Sequence, residues 1–191
     1  MIGGTIIGLI VLSAVCAPLL APDDPEKMEM SLRLKGPSWE HPMGTDQFGR
    51  DLFTRIVYGA RISLGVALIA VGLSVAIGVT VGLISGYYGG LLDLLAQRLV
   101  DIFLAFPVLL LAIALVAALG PSPRNVVLAL GLVGWTGYTR LVRVDVMALK
   151  NREFVQAARV SGASDARVIL RHILPNVLSP VLVLATLGIG Y

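Results

Sequence analysis

Apolar positions in this chain gather into long, uninterrupted runs separated by polar connections. Met1–Pro22, Ile62–Leu92, Ile102–Pro123 and Ile173–Tyr191 contain no Asp, Glu, Lys or Arg. A bilayer core of roughly 30 Å is crossed by about 20 apolar helical residues, so each run has the length of a membrane span. A shorter run, Asn125–Thr139, lies between Arg124 and Arg140, whose long side chains can reach the two interfaces. The pattern predicts an all-α integral membrane protein of about five spans. A soluble fold would have to bury four such stretches completely, which argues against it.

Composition agrees with the pattern. Hydrophobic residues make up 57% of the chain and charged residues 14%, and the mean hydropathy is +0.87. The net charge of +3 bears on loop placement. No basic stripe interleaved with aromatics is present, so no nucleic-acid partner is expected. Cys16 is the one cysteine, which excludes an intrachain disulfide and a cysteine-based metal site. The first run lacks the basic flank of a cleaved signal, and Ala14-Val15-Cys16 is a poor processing site, so it reads as a retained transmembrane helix.

The connections differ in kind. Ala21–Arg61 is polar, with Pro22, Pro25, Pro37 and Pro42; Gly86–Arg98 and Gly120–Arg124 read as short turns. Arg140–His172 is long, basic and helix-prone. Counting Lys and Arg puts 7 on the side of the first and third connections and 8 on the other, which does not set an orientation. Within the second run, Gly78, Gly82 and Gly86 repeat every four residues and form one smooth helical stripe, suited to close approach of another helix. Pro107 is placed to kink the third span or to open its first turn. Asp101 follows Arg98 at helical spacing near the interface, and the two are expected to pair.

The chemistry concentrates in the last connection. Asn151 is a good N-cap residue, Glu153 in the first turn suits the helix dipole, and Gly162 can take the left-handed conformation that ends a helix. Arg152, Gln156 and Arg159 fall on one stripe and Phe154, Ala158 and Ser161 on another. Ser164 is placed to cap a second helix, Asp165–Leu174, with Pro175 opening the next span. Two short helices joined at a glycine corner and tied to a membrane helix make a lever. Periodicity alone fits equally an amphipathic helix lying on lipid.

The order of residues decides between these readings. Gln156-Ala157-Ala158, Gly162 and Ile173-Leu174-Pro175 resemble the EAA loop of ABC importer permeases. His41-Pro42-Met43-Gly44-Thr45-Asp46, Gly49-Arg50-Asp51, Arg55, Gly59-Ala60-Arg61 and Ser63 resemble the segment before the second span in the dipeptide, oligopeptide and nickel permease family. Gly86-Tyr87-Tyr88-Gly89-Gly90, Asp101–Pro107, Gly131–Arg143 and Arg171–Asn176 add to the match, which runs from Ala17 onward and is nearest the second (C-type) permease of such systems.

The resemblance implies the fold of a type I ABC importer transmembrane domain in a prokaryotic inner or plasma membrane. It divides the chain into an N-terminal transmembrane helix (1–21), an extracytoplasmic segment (22–61) and a permease domain (62–191) with a cytosolic coupling loop (148–174). Implied partners are a homologous second permease, two ATPase subunits and an extracytoplasmic solute-binding protein. The coupling loop would engage an ATPase through Arg152, Glu153, Phe154, Gln156, Ala157, Ala158, Arg159, Gly162 and Pro175. The chain has no Gly-x-x-x-x-Gly-Lys-Ser/Thr phosphate loop, so it is expected to be no enzyme and to bind no cofactor; ATP and magnesium belong to the partner ATPases. No metal site is expected, since His41 beside Met43 gives no coordination set. Three departures stand out. The family's glutamate before Ala157-Ala158 is Gln156, the basic stretch before the first span is missing, and a sixth helix of the family falls outside this chain.

Overall fold

The structure, a computed structural model, describes residues 2–190. Every regular element among them is helical, apart from a single antiparallel bridge between Thr45 and Asp51. They fall into two compact units, one up to Gly65 and one from Val66 onward.

In the first unit, α1 (Ile2–Val15) and α2 (Ala17–Leu20) cover the first apolar run. The expected single helix is interrupted at Cys16, because Pro18 in the first turn of α2 has no N–H to continue the ladder. The polar segment that follows is ordered by one carboxylate. Asp46 accepts the backbone N–H groups of Phe48 (2.8 Å) and Arg50 (3.0 Å), Arg50 Nε (2.8 Å) and Arg55 Nη1 (2.6 Å). Burial opposes its ionisation, but the two backbone donors and the Arg50 guanidinium outweigh that and hold its pKa down at about 2. Thr45 Oγ1 ties this turn to the Leu32 carbonyl, next to the 3₁₀ turn Met30–Leu32.

α3 (Leu52–Tyr88) starts at Leu52, ten residues before the predicted Ile62. The reason is a cap: Asp51 Oδ2 accepts the Thr54 N–H at 2.7 Å, and Asp51 Oδ1 lies 3.1 Å from His41 Nδ1. These partners, with the Thr54 hydroxyl, overcome the opposing effect of burial and lower the Asp51 pKa below the usual carboxylate value.

Beyond α3 the sequence reading needs revision. The predicted turn Gly86–Arg98 is mostly helix: α4 (Gly90–Leu104) follows a corner at Gly89 and Gly90, whose φ values of 69° and 58° favour glycine. The third span is broken. α4 and α5 (Val108–Leu119) meet at 85° across Ala105–Pro107, so Pro107 begins the second arm of a bend. After the turn Gly120–Ser122, α6 (Pro123–Leu149) is capped by Ser122 Oγ, which accepts the Asn125 N–H at 3.2 Å. A short helix, α7 (Glu153–Val160), precedes one helix of 25 residues, Asp165–Ile189, made of α8 (Asp165–Arg167), a π-helical stretch Val168–Ile173 and α9 (Leu174–Ile189).

Among the described residues, two helices are long and apolar enough to cross a bilayer, Leu52–Tyr88 and Asp165–Ile189; the bent α4–α5 pair makes a third if it counts as one span. Among the described residues, five spans of that kind are not found. α1 has only 14 residues, and α6 carries Arg124, Arg140, Arg143 and Asp145 along its length. Pro175 does not open a separate helix either. The π-helical turn before it shifts the hydrogen-bond ladder, which lets a residue without an N–H sit inside a continuous helix.

Candidate functional site: the loop between α6 and α9 and the helices beneath it

The site is built on a close-packed pair of helices. A β-carbon added at Gly78 would lie 2.5 Å from Tyr138 Cβ and 2.6 Å from the Trp135 carbonyl oxygen. At Gly82 it would lie 2.8 Å from Val142 Cβ, and at Gly86 2.9 Å from Val146 Cβ and the Arg143 carbonyl oxygen. These distances are well inside ordinary contact, so the three glycines let α3 lie against α6 backbone to backbone. The seam extends further than the glycine stripe indicated. Ser74, four residues before Gly78, donates to the Gly131 carbonyl at 3.0 Å, and Thr139 Oγ1 donates to the Gly78 carbonyl at 3.3 Å. Counting small residues rather than glycines alone would have found Ser74.

α4 is fixed to α6 by ion pairs that the sequence reading misassigned. Asp101 does not pair with Arg98; its carboxylate accepts Arg140 Nη2 at 2.9 Å. One turn further along α6, Arg143 grips Asp93 through two bonds, Nε–Oδ1 at 2.5 Å and Nη2–Oδ2 at 2.6 Å. Local i, i+3 spacing made Arg98 the obvious partner, yet the bend at Pro107 and the packing of α4 on α6 brought a distant arginine closer.

On this base sits α7. Its N-cap is Arg152, with extended backbone and no capping side chain, and not Asn151, whose amide donates to the Met147 carbonyl at the end of α6. Ser164 likewise precedes α8 without a side-chain cap. Gly162 ends the α7 corner with φ of 81°, the left-handed conformation its lack of a β-carbon permits. The inward anchor is Val155, fully buried among Val146, Val168, Ile173 and other core residues, with Ala158 half-buried beside it. Phe154, on the predicted apolar stripe, is 44% exposed, so the residue that faces the core is its neighbour Val155. With Glu153, Gln156, Ala157, Arg159 and Val160, Phe154 forms an outward face on which Val160 is 89% exposed. An open recess of about 590 Å³ lies at the start of this face, lined by Asn151, Arg152, Glu153 and Phe154.

Gln156 has a role that the motif comparison did not suggest. Its Nε2 donates to the Lys150 carbonyl at 3.1 Å, closing the chain reversal between α6 and α7. A glutamate there could not make that bond at neutral pH. Pro175 lies in the first turn of α9, beyond the π-helical stretch, and is not part of the outward face of α7. Among the described residues no group of three or more His, Cys, Asp or Glu side chains is arranged to hold a metal.

A bent, glycine-seamed helical core with two to three apolar spans, carrying a short exposed helix on one chain reversal, is the architecture of a multi-pass membrane protein. Residues 78–191 match the model of the binding-protein-dependent transport system inner membrane component family, and the chain belongs to that family. It is 50% identical over 190 residues to the dipeptide transport system permease protein DppC of Alkalihalophilus pseudofirmus, covering 100% of this chain and 62% of the relative. It is 44% identical over 196 residues to the DppC of Haemophilus influenzae, covering 100% of this chain and 66% of the relative. It is 39% identical over 186 residues to the nickel transport system permease protein NikC of Escherichia coli K12, covering 97% of this chain and 67% of the relative. The chain thus spans about two thirds of the length of these curated relatives.

Proposed function

We propose that the protein is the membrane-spanning permease subunit of an ATP-driven ABC importer, and that it passes di- and oligopeptides received from an extracytoplasmic binding protein. The observation that carries this reading is α7. It is locked to the core by Val155 yet presents Phe154, Ala157 and Val160 outward, an apolar strip fringed by Glu153, Gln156 and Arg159. Such a strip suits a groove on a partner ATPase better than a bilayer, since its apolar area is too small to anchor strongly in lipid. Closure of two ATPases on ATP would pull α7. Because short links join α7 to α6 and to the Asp165–Ile189 helix, the pull would reach both of these helices. ATP and magnesium would be held by the ATPases, and a homologous permease would complete the pathway.

Peptide is favoured over nickel as cargo by the higher identity to the dipeptide permeases than to the nickel permease. The test is reconstitution in vesicles with the accompanying subunits and binding protein, followed by ATP-dependent uptake of labelled dipeptide or of nickel. Uptake that persists without the ATPase rejects the importer reading, and uptake of nickel alone rejects the peptide reading. Phe154→Asp should abolish ATPase capture in a pull-down, and Gly162→Pro should abolish uptake while leaving membrane insertion intact. Normal ATPase capture by the first variant and normal uptake by the second would remove the coupling role.

A further inference from the structure

The last turn of α3 is fastened to the α7 region by contacts that the coupling motif does not include. Tyr87 is 6% exposed and packs with Val146, Val155 and Val168. Its hydroxyl donates to Asp165 Oδ1 at 2.6 Å, across 78 positions of sequence. The Arg159 guanidinium, from the last turn of α7, lies over the Tyr87 ring at 5.0 Å from its centroid. Lys150, in the link between α6 and α7, donates Nζ to the Gly86 carbonyl at 2.8 Å and the Tyr87 carbonyl at 3.3 Å. A cation on the terminal carbonyls of a helix is favourable for its dipole. The end of α3 thus touches Lys150 at the end of α6, Arg159 of α7 and Asp165, which starts the following helix.

This arrangement answers a mechanical problem. α6 and the Asp165–Ile189 helix are joined to α7 through the backbone, so any displacement of α7 reaches them directly. α3 is not, because α4, α5 and α6 intervene along the chain. Apolar packing against Val155 and Val168 alone would let α3 slip, since such contacts have no preferred direction. A short hydroxyl–carboxylate bond and a lysine on two carbonyls resist slip along defined axes.

We propose that Tyr87, acting with Lys150, Arg159 and Asp165, is a clamp that makes α3 move with the coupling helix, so that Tyr87 is a positioning residue of the transport cycle. The proposal rests on the importer reading above and deepens it. Tyr87→Phe removes one oxygen and keeps the ring, so core packing and the Arg159 stack persist.

The experiment compares solute transported per ATP hydrolysed in vesicles holding the complete transporter. Tyr87→Phe should keep ATPase capture and ATP hydrolysis, while uptake per ATP falls about tenfold, the scale of one charge-assisted hydrogen bond. Asp165→Ala should match it, and the double variant should be no worse than either single one. Asp165→Asn, which keeps an acceptor oxygen, should restore most of the coupling. An unchanged uptake-to-ATP ratio in Tyr87→Phe, with Phe154→Asp still releasing the ATPase, overturns the clamp and leaves the importer reading standing. Loss of uptake that only tracks a lowered thermal midpoint, or that is additive between the two sites, also overturns it. Retained ATPase capture by Phe154→Asp overturns the importer reading itself.

Discussion

Gly82→Ala offers the sharpest test of how the helical core is held. The new β-carbon would stand 2.8 Å from Val142 Cβ and 2.9 Å from the Thr139 carbonyl oxygen. Favourable carbon contacts lie at about 3.5–4.0 Å, so α3 and α6 would have to part by about 1 Å along the seam. Neither obstacle can rotate away, since one is a backbone oxygen and the other a β-carbon. Overpacking of this kind costs about 1–3 kcal/mol. Alanine is also a better helix former than glycine by about 1 kcal/mol, which masks part of the loss. Gly72→Ala separates the two effects, because a β-carbon at Gly72, in the same helix, meets nothing within 4 Å. The difference between the variants therefore isolates the packing term, and Gly82→Ala should be the less stable by about 1–3 kcal/mol. SDS titration in mixed micelles, read by Trp135 fluorescence in a Trp39→Phe background, measures this; Trp135 is buried on α6 beside the seam. Gly78→Ala should fall at least as far, because its β-carbon meets Tyr138 Cβ at 2.5 Å and the bond from Thr139 to the Gly78 carbonyl is strained as well. Equal midpoints for Gly82→Ala and Gly72→Ala would refute the close-packed seam.

Three further outcomes follow from the polar contacts. Arg143→Met should destabilise the protein by about 2 kcal/mol, because the bidentate, largely shielded Asp93 is left unpaired, while Arg140→Met should cost less than about 1 kcal/mol, since the Arg140–Asp101 pair is half exposed; the same SDS titration ranks them, and equal losses would contradict the ranking. Asp46 is ionised more readily in the fold than in the unfolded chain, so its contribution is complete above its ordinary pKa of 3.8 and is lost as pH falls towards about 2. Hydrogen exchange at the Phe48 and Arg50 amides, corrected for intrinsic rate, should show protection constant from neutral pH to about 4 and declining below it, and Asp46→Asn should abolish that dependence. Gln156→Glu should lose the bond to the Lys150 carbonyl and lower stability by about 1 kcal/mol, whatever it does to ATPase binding; an unchanged midpoint would show that this bond adds nothing to stability.

What was legible in the sequence is what depends on neighbours along the chain. The apolar runs, the stripe Gly78-Gly82-Gly86 and the glycine corner at Gly162 are local patterns with local causes, and the structure places each of them where a turn or a seam uses it. The misassigned ion pair has a different origin, which is contact between residues far apart in sequence. Asp101 was given to Arg98 because the spacing fits one helix, and packing of α4 on α6 gave it to Arg140 instead. On α7 the periodicity placed Phe154 and Ala158 on one stripe without saying which side chain faces the core. Val155 is buried because the core that receives α7 is contributed by Val146, Val168 and Ile173 from the flanking helices. Tyr87 shows the same limit most plainly. As one of two tyrosines in a short Gly-Tyr-Tyr-Gly-Gly string it looked like part of a turn, and the charged side chains that hold it all lie far along the chain. Only when α3, α7 and α8 are brought together do Lys150, Arg159 and Asp165 converge on it from the far side of α6 in sequence. A lever can be recognised from its own capping residues, whereas what it grips is set by tertiary packing.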